Sequence, residues 1–398
     1  MRASVEGFAA AITVEALDRD PYPIYARLRR EAPVCLVPAV GLWFVTRWDD
    51  VEHAASHPEL FNSRVTPSPL DRTMGGESIL LLDGEPQRAL RAMLDPSLRP
   101  RVVEERTPAL VEPVVEELLD RIAGRGEAEL MAEFFEPVSV LSLGRVLGLG
   151  HVDGDTLRRW FHGLAQGAIN FEDDSAKWAV ADAAGAEIDR ELAPVFERLF
   201  AEPDGSTIAT MLEHAVGTLE QRVAQILPTL KVILLGGMQE PGHAAGSTVV
   251  GLLESGQAEA LAAEPARLVR DAVEEGLRWV SPIGTQTRRA VVEVELGGVT
   301  VPRGANLGVL VSSANRDEAV WGETADDYDL FRPRRNHAAF GFGPHFCSGH
   351  HFSRVQMRIG IQRLFERLPT LRLYPKCPPV FQGWEFRAPR HLHVRWDP

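Results

Sequence analysis

The feature that most limits how this chain can fold is a single cysteine among glycines and aromatic residues, followed directly by a helical pattern. The run reads Phe-Gly-Phe-Gly-Pro-His-Phe-Cys-Ser-Gly at 340–349. Behind it, over about 349–368, four apolar residues keep the i, i+3, i+4, i+7 spacing of an amphipathic helix: Ile361, Leu364, Phe365 and Leu368. Glycine lets backbone approach a flat ligand closely, and a helix N-terminus stabilises a thiolate. The pattern predicts a loop that presents Cys347 as an anionic ligand, with Pro369 ending the helix.

Those are the needs of an anionic sulfur bound to haem iron, where thiolate donation favours O–O cleavage. Taken alone, a lone cysteine is more commonly a buried structural residue, so this alternative stands beside the first. The other two cysteines, Cys35 and Cys377, lie far away in the sequence. An odd number at such spacing predicts neither a disulfide framework nor a cysteine-rich metal site.

Charge and length narrow the class of protein. The chain has 398 residues, is 45% hydrophobic and carries a formal net charge of -14, which disfavours a generic electrostatic hold on nucleic acid or anionic lipid. No apolar run approaches the roughly 18 residues of a membrane span. The first twenty residues carry acids where a signal peptide would carry basic residues. We therefore expect a cytoplasmic protein with neither a nucleic-acid nor a membrane partner.

The pattern of helices and strands predicts a mainly α protein with a small β region. No internal repeat or low-complexity tract is visible, and prolines and glycines punctuate the whole length, which favours one domain over 1–398 with a short N-terminal extension of about 1–15. A stretch that alternates β-branched and polar residues, 290–311, predicts a short sheet, and a Pro/Arg-rich passage follows at 328–337. Helical patterns ahead of the sheet cover 105–124, 226–254 and 267–280.

The cysteine run resembles the haem-binding signature of the cytochrome P-450 family, Phe-x-x-Gly-x-x-x-Cys-x-Gly. It is matched by Phe340, Gly343, Cys347 and Gly349. The resemblance extends from about Asp20 to the C-terminus. It implies the mainly α P-450 fold, a haem b cofactor and Cys347 as the iron ligand.

A second signature of the family, Glu-x-x-Arg, is matched by Glu275 and Arg278. The i, i+3 spacing places both charges on one helical face and permits an ion pair. An isolated pair of this kind is usually a solvated surface contact of little consequence. In the family the two residues join an arginine that Arg332 matches best here, and their role is structural.

The family binds the haem propionates with cations from three places, which Arg91, Arg289 and His345 match here. Arginine suits carboxylates because its fork binds them in a bidentate manner. The sequence departs from the family at Gln87, where a histidine is usual, so that one propionate loses a charge partner. The resemblance also places Phe340, Gly341 and Gly349 against the haem.

The oxygen-activating helix departs from the family pattern more strongly. Most members carry (Ala/Gly)-Gly-x-(Asp/Glu)-Thr, whose acid and alcohol relay protons, whereas this chain reads Gly-Gly-Met-Gln-Glu-Pro-Gly-His at 236–243. Gln239 stands at the acid position and cannot deliver a dissociable proton, while Glu240 at the alcohol position can act as acid and base. Pro241 breaks the helical hydrogen bonding there. The alternative for Glu240 is a surface carboxylate beside a kink, and His243 is expected to be packed or solvated.

The run at 238–243 is similar to a branch of the family that O-demethylates lignin-derived methoxyphenols such as guaiacol and syringol. Supporting stretches include Glu-Pro-Val-Ser-Val at 136–140 and Gly-Trp-Glu-Phe-Arg at 383–387. A small phenol needs a compact apolar pocket with few polar groups. The positions that match the branch's substrate-binding residues are Met74, Leu80, Ala168, Leu235, Gly236, Ile283, Thr287 and Phe386.

Two of those positions bear on substrate size, because Met74 and Ala168 stand where guaiacol-type members have phenylalanine. Loss of aromatic bulk opens space for a second methoxy group, as in syringol. We therefore expect O-demethylation of syringol or guaiacol to a catechol and formaldehyde. The rivals are hydroxylation of a terpene or polyketide and, from another class, a non-catalytic haem sensor or carrier.

The resemblance also implies how electrons and oxygen reach the enzyme. A separate flavin and iron-sulfur reductase, or a ferredoxin, is expected to supply electrons from NAD(P)H. Arg334, Arg335 and Arg354 near the cysteine loop are candidates for steering such a partner. With Glu240 in place of an alcohol, we also expect direct use of hydrogen peroxide.

Overall fold

The computed structural model describes residues 2–65, 68–168, 170 and 173–397, so Met1 and Pro398, the ends of the predicted domain, lie outside them. This part of the chain is mainly helical with four small sheets, which confirms the predicted fold class. The helices of the first half are α1 Arg2–Ala11, α2 Val14–Arg19, α3 Tyr22–Glu31, α4 Trp48–Ser56, α5 Pro69–Met74, α6 Gly84–Leu98, α7 Pro100–Ile122, α8 Glu136–Leu147 and α9 Gly154–Ala168.

The second half continues the helical pattern. Its helices are α10 Ser175–Ala201, α11 Thr207–His214, α12 Leu219–Gly236, α13 Glu240–Glu254, α14 Ala258–Ala263, α15 Pro265–Trp279, α16 Val311–Ala314, α17 Glu318–Trp321 and α18 His350–Arg367. A π-helical turn, Met131–Phe135, leads into α8, and 3-10 turns lie at Ala123–Arg125 and Gly343–His345. The predicted helices at 267–280 and 349–368 correspond to α15 and α18, and 105–124 falls mostly within the longer α7.

The strands are short. They are β1 Val34–Val37, β2 Leu42–Val45, β3 Phe61–Asn62, β4 Glu127–Glu129, β5 Gln286–Ala290, β6 Val294–Leu296, β7 Val299–Val301, β8 Asn306–Val309, β9 Arg372–Leu373, β10 Phe381–Gln382, β11 Ala388–Pro389 and β12 His393–Arg395. The largest sheet has the order β1-β2-β8-β5-β3, in which only β2 and β8 are parallel among the described strands. The predicted sheet at 290–311 is thus divided between this sheet and the separate β6–β7 hairpin.

Three apolar clusters form the core. The largest joins α6, α7, α8, α12, α13, α15 and α18, the second lies between the main sheet and α4, and the third joins the N-terminal helices to β1 and β2. In the third, Ile12 and Leu17 pack with Trp384, so the N-terminal segment supports the loop before β11. Burial of these side chains is the main favourable term that holds the elements together.

The helix predicted over 226–254 is wrong in one respect, because the structure divides it. Helix α12 ends at Gly236 and α13 begins at Glu240, with Gln239 as its N-cap. Pro241 stands at the second position of α13, where its missing N–H costs no helical hydrogen bond. The interruption places Gln239 and Glu240 at a helix start, where the backbone N–H groups have no partner in the helical hydrogen-bond ladder.

Glycines bring α13 close to its neighbours. A Cβ on Gly242 would lie 2.7 Å from the Phe135 carbonyl oxygen, and one on Gly246 would collide with the Met131 sulfur. Only hydrogen at these positions allows α13 to lie directly against the π-helical turn and the start of α8. This packing sets which side chains of α8 face the start of α13.

Candidate active site

The cysteine loop is held by its own backbone. The Cys347 N–H donates to the Phe340 carbonyl oxygen at 3.0 Å, and the Gly349 N–H donates to the Cys347 sulfur. Gly341 has φ 72°, and a Cβ there would collide with the Gln286 amide, so glycine is required at this position. Helix α18 begins directly after Gly349, and its N-terminal dipole also favours a thiolate.

Cys347 lies deep among protein atoms, yet part of its surface is accessible to solvent. Burial raises the pKa of its thiol, the Gly349 N–H and the charges of Arg91 and Arg354 lower it, and the charge of Glu240 raises it. The sulfur therefore opens onto a space within the protein, and the Glu240 carboxyl group is near enough to act on it electrostatically. The two residues singled out for chemistry come from regions more than 100 positions apart, and the fold brings them together.

Three side chains predicted to bind cofactor also make contacts that connect the cysteine loop to α6 and its N-terminal flank. Arg91 donates to the Phe346 carbonyl oxygen at 2.8 Å and to the Ser348 hydroxyl. Gln87 is buried and donates its amide to the Pro344 carbonyl oxygen at 2.7 Å. His345 lies 3.0 Å from an Asp83 carboxylate oxygen and 2.9 Å from the Ser63 hydroxyl. These contacts fix the loop in position relative to α6.

Successive side chains of β5 point to opposite faces of the sheet, so the neighbouring residues Arg288 and Arg289 lie on different faces. Arg288 is 5% exposed, and its Nη2 has no hydrogen-bond partner among the described residues. Burial lowers its pKa to about 10, and the charge of Asp83 opposes this effect. Arg289, on the opposite face of the strand, is half-buried and lies beside Gly304. The geometry favours Arg288 over the predicted Arg289 as the cation beside Asp83 and His345, because a buried guanidinium without an anion is costly.

The Glu-x-x-Arg pair is a buried network, which confirms the predicted ion pair. Arg278 contacts both Glu275 carboxylate oxygens at 2.8 and 2.7 Å, and their side chains are 1% and 5% exposed. Arg332 joins the same carboxylate at 3.1 Å. Arg278 also donates to the carbonyl oxygens of Asn315, Ala325 and Asp327. This network connects α15 to the segment that precedes the cysteine loop.

The start of α13 carries a buried acid. Glu240 is 7% exposed, and its Oε2 has no hydrogen-bond partner within the described part of the chain. Burial raises its pKa to about 7, although backbone N–H groups of Glu240 and Gln239 lower it. Gln239 is half-buried beside it. A carboxyl group that titrates near neutral pH can both donate and accept protons, so the alternative of a surface carboxylate is wrong.

Five of the predicted substrate-binding residues lie around three mutually packed helices or next to them. Helices α5, α9 and α12 contact each other. Leu235 and the open Gly236 end α12, Ala168 ends α9, and Leu80, which is 46% exposed, follows α5. Met74 differs, because it is only 1% exposed and belongs to the main apolar core. Its assignment to the substrate therefore rests on the resemblance alone.

The other three lie on the main sheet and the loop that packs against it. Ile283 and Phe386 form an antiparallel bridge, and Phe386 is 49% exposed. Thr287 pairs with Gly308 across β5 and β8. A Cβ on Gly284 would collide with the Trp384 carbonyl oxygen, so the loop lies tightly against this strand entry. The predicted substrate-binding residues thus come from two parts of the fold, the α5–α9–α12 helices and the main sheet with its adjoining loop.

The residues present fit a haem. The accessible sulfur of Cys347 under helix-start N–H groups suits an iron ligand, and the buried, unpartnered Nη2 of Arg288 beside His345 suits a carboxylate of the macrocycle. A Cβ on Gly349 would lie 3.9 Å from the Cys347 sulfur, so glycine there keeps the space beside the sulfur free of a side chain. Within the described residues, no group of three or more His, Cys, Asp or Glu could hold a bare metal ion instead.

Two residues of this site carry no signal that sequence reasoning recognised. Arg288 could have been found from strand alternation only if the first residue of β5 and its inward face had been known. Glu136, which lies 3.9 Å from the His243 ring, is separated from it in the sequence by more than 100 residues.

No helix in the described ranges is long and apolar enough to cross a membrane.

Comparison with known proteins agrees with this site. The cytochrome P450 family model matches residues 264–379, which include α15 and the cysteine loop. Cytochrome P450 107B1 of Saccharopolyspora erythraea is 30% identical over 392 residues, covering 94% of this chain and 93% of that protein. A steroid C26-monooxygenase of Mycolicibacterium smegmatis is 29% identical over 364 residues, covering 90% of this chain and 88% of that protein. The structure of CYP109B1 from Bacillus subtilis superposes with a TM-score of 0.83 at 25% identity, covering 95% of this chain and all of that one.

The chain belongs to the cytochrome P450 family. It has the P450 fold, carries haem with a cysteine thiolate ligand to the iron, and is a haem monooxygenase of the P450 kind. Bacterial members generally take electrons from separate redox partners, as the sequence predicted.

Proposed function

We propose that this P450 O-demethylates a small methoxyphenol of the syringol or guaiacol type, giving a catechol and formaldehyde. Cys347 holds the haem iron, and Arg91, Arg288 and His345 surround its carboxylates. The haem, when bound, supplies oxygen activation, to which the thiolate contributes electron density. Oxidation at the methoxy carbon then yields an unstable hemiacetal, which releases formaldehyde.

The observation that carries the proposal is Glu240. Glu240 is a buried carboxyl group with a pKa of about 7 and an unpartnered Oε2, and its charge raises the pKa of Cys347. Most of the family has an alcohol at this position. Glu240 can accept a proton from hydrogen peroxide and donate a proton as the O–O bond breaks, and the same acid serves oxygen-driven turnover. A positioned acid–base group of this kind contributes roughly 10²–10⁴-fold. The Gln-Glu-Pro run that places Glu240 is the one that resembles the methoxyphenol branch.

The surrounding side chains bind and orient the ring. Leu235, Ile283 and Phe386 supply apolar contact, and a Cβ on Gly236 would meet no atom within 4 Å, so space is open at the end of α12. Ala168 at the end of α9 leaves more room than phenylalanine would. A shape of this kind favours a flat phenol with one or two methoxy groups over a longer ligand.

The experiment is a substrate panel. Purified enzyme receives guaiacol, syringol and larger apolar ligands in turn, and the spin-state shift of the haem and the release of formaldehyde are measured. We expect a shift and one formaldehyde per methoxy group oxidised for the methoxyphenols. Oxidation that leaves the methoxy group intact, or binding of the large ligands alone, would contradict the proposal.

A second candidate is hydroxylation of a larger apolar substrate. The steroid C26-monooxygenase relative, at 29% identity over most of the chain, favours it. The same panel distinguishes the two, because a steroid or macrolide hydroxylase shows no formaldehyde release. A haem sensor or carrier would show no turnover with any ligand.

The electron donor is proposed to be a separate iron-sulfur protein, fed by NAD(P)H through a flavin. Two of the arginines predicted to steer the electron donor already have acidic partners within the protein, which weakens their case. Arg354 donates to both Glu274 carboxylate oxygens at 2.7 and 3.0 Å, and Arg334 pairs with Asp271. Arg335 donates to the Val320 carbonyl oxygen and has no acidic partner among the described residues. Of the three predicted residues, Arg335 is therefore the best candidate for contact with an acidic donor.

A further inference from the structure

We propose that His243 and Glu136 form a proton path that connects Glu240 to solvent. Each oxidation of one substrate with one O₂ consumes two electrons and two protons and releases one water, so the site needs protons from outside. The proposal rests on the proposed role of Glu240 and extends it to two residues on different helices. The acid and alcohol of the family pattern are replaced here by Gln239 and Glu240, so the usual acid–alcohol pair is absent at these two positions.

The first step of the argument is position on α13. At about 100° per residue, Glu240 and His243 lie about 60° apart on the helix, one turn from each other along its axis. Both carry a buried polar atom with no hydrogen-bond partner in the described ranges, Glu240 Oε2 and His243 Nδ1. Leaving two such atoms unpaired lowers the stability of the folded protein. A single bridging water would satisfy both, and it would connect them for proton transfer.

The second step of the argument concerns Nε2, the other nitrogen of the His243 ring. His243 Nε2 lies 3.9 Å from a Glu136 carboxylate oxygen, at the first residue of α8. The close approach of α13 to this turn, made possible by Gly242, holds the two residues together. One nitrogen of the imidazole thus faces Glu136 while the other is buried without a partner on the helix that carries Glu240.

The third step is a gradient of exposure. The Glu136 side chain is 28% exposed and that of His243 17%, whereas Glu240 is 7% exposed. Glu136 reaches solvent beside Arg158, whose own partner Asp155 is a surface residue. The path therefore begins at the surface and ends at Glu240, the acid whose charge acts on Cys347.

The protonation states suit transfer through a neutral ring. Burial lowers the pKa of His243 to about 4, so the imidazole is uncharged at neutral pH. Burial raises the pKa of Glu136, while Arg158 lowers it and Glu129 raises it. Glu136 gives a proton to Nε2 of the ring, the ring releases its Nδ1 proton towards Glu240, and Glu136 regains a proton from water. This leaves the ring in its Nε2–H tautomer, and because Nε2 and the Glu136 oxygen are 3.9 Å apart, a water carries the proton between them. The ring is reset when it rotates, loses its Nε2 proton to water and gains one at Nδ1 from water, so no net charge accumulates.

The test compares Glu136→Gln with a matched control, Glu133→Gln. Glu133 lies one turn earlier, is 33% exposed and pairs with Arg125 instead of a histidine. The first measurement needs no substrate: ¹⁵N NMR of His243 in the reduced, carbon monoxide-bound haem protein, which is diamagnetic. We expect a neutral ring at pH 7 whose shifts change in Glu136→Gln and stay constant in Glu133→Gln. A charged ring, or equal spectra for both variants, would overturn the proposal.

The second measurement is coupling during NAD(P)H-driven turnover. In Glu136→Gln we expect product formation to fall about tenfold or more, hydrogen peroxide release to rise and the solvent deuterium isotope effect to increase. Glu136→Asp should recover most of the loss, and Glu133→Gln should match the wild type. Wild-type coupling and isotope effect in Glu136→Gln would overturn the path.

The outcomes separate this inference from the proposed function. If the wild type demethylates methoxyphenols and Glu136→Gln behaves as Glu133→Gln, the path is wrong and the function stands. If the wild type demethylates none of them, the NMR measurement and the coupling of any substrate that it does oxidise still decide the path.

Discussion

The two sides of the site differ in how completely their polar groups are paired. On the cysteine side, Glu275 binds two arginines, and Arg91 and Gln87 donate to the loop backbone. Arg288 Nη2 is the exception there, since it has no partner among the described residues and suits a haem carboxylate. On the α13 side, Glu240 Oε2, His243 Nδ1 and Ser247 Oγ are buried without partners among the described residues. The contrast indicates that the first side holds the cofactor in place, whereas the second keeps groups available for reaction. Unpaired buried groups cost stability and are retained where chemistry uses them.

The largest expected effect is at Cys347. Cys347→Ala removes the iron ligand while leaving the loop backbone bonds in place, so the protein should fold but lose thiolate ligation and turnover. The reduced, carbon monoxide-bound spectrum measures this directly. Retention of the long-wavelength band typical of thiolate in the variant would remove Cys347 from its role.

The second largest effect is expected in the Glu275–Arg278–Arg332 network on the cysteine side. Glu275→Gln leaves Arg278 and Arg332 as buried cations with no carboxylate, and breaking a buried pair typically costs about 3–5 kcal/mol. We expect a large drop in the yield of folded, haem-loaded protein and in the unfolding midpoint. Glu264→Gln, which breaks an exposed pair with Arg267 near the start of the same helix, is the control and should change stability by less than about 1 kcal/mol. Equal loss in the two variants would contradict the structural role of the network.

A smaller effect is expected at the substrate pocket. Ala168→Phe fills space at the end of α9, and overpacking costs about 1–3 kcal/mol, or roughly tenfold to a hundredfold in affinity. Syringol should bind more weakly while guaiacol is spared or binds more tightly, as measured by spectral titration. Met74→Phe is the comparison, because Met74 is buried in the core and its enlargement should lower stability more than selectivity. Equal changes for both phenols in Ala168→Phe would show that the site does not discriminate by size.

The two sides also differed in how far the sequence predicted them. The cysteine loop is local, since its glycines, its cysteine and its helix are contiguous, and the ion pair at 275 and 278 follows from helical spacing. The choice between Arg288 and Arg289 was not predictable, because it depends on which face of β5 turns inward. Pro241 signalled an interruption of the helix near this point, but the bounds of α12 and α13 did not follow from the sequence. The contact of His243 with Glu136 joins elements that sequence spacing cannot relate.

The measurement that tests the account most directly is hydrogen peroxide-driven demethylation by the wild type and Glu240→Thr across a range of pH. Burial raises the pKa of Glu240 to about 7, and its ionised form must accept the proton, so the wild-type rate should rise through about pH 7. Glu240→Thr should be slower by roughly 10²–10⁴-fold and lack that rise. Glu254→Gln, at the far end of α13, should keep the wild-type profile. Equal or faster peroxide turnover in Glu240→Thr would contradict the assignment of Glu240 as the proton-handling residue.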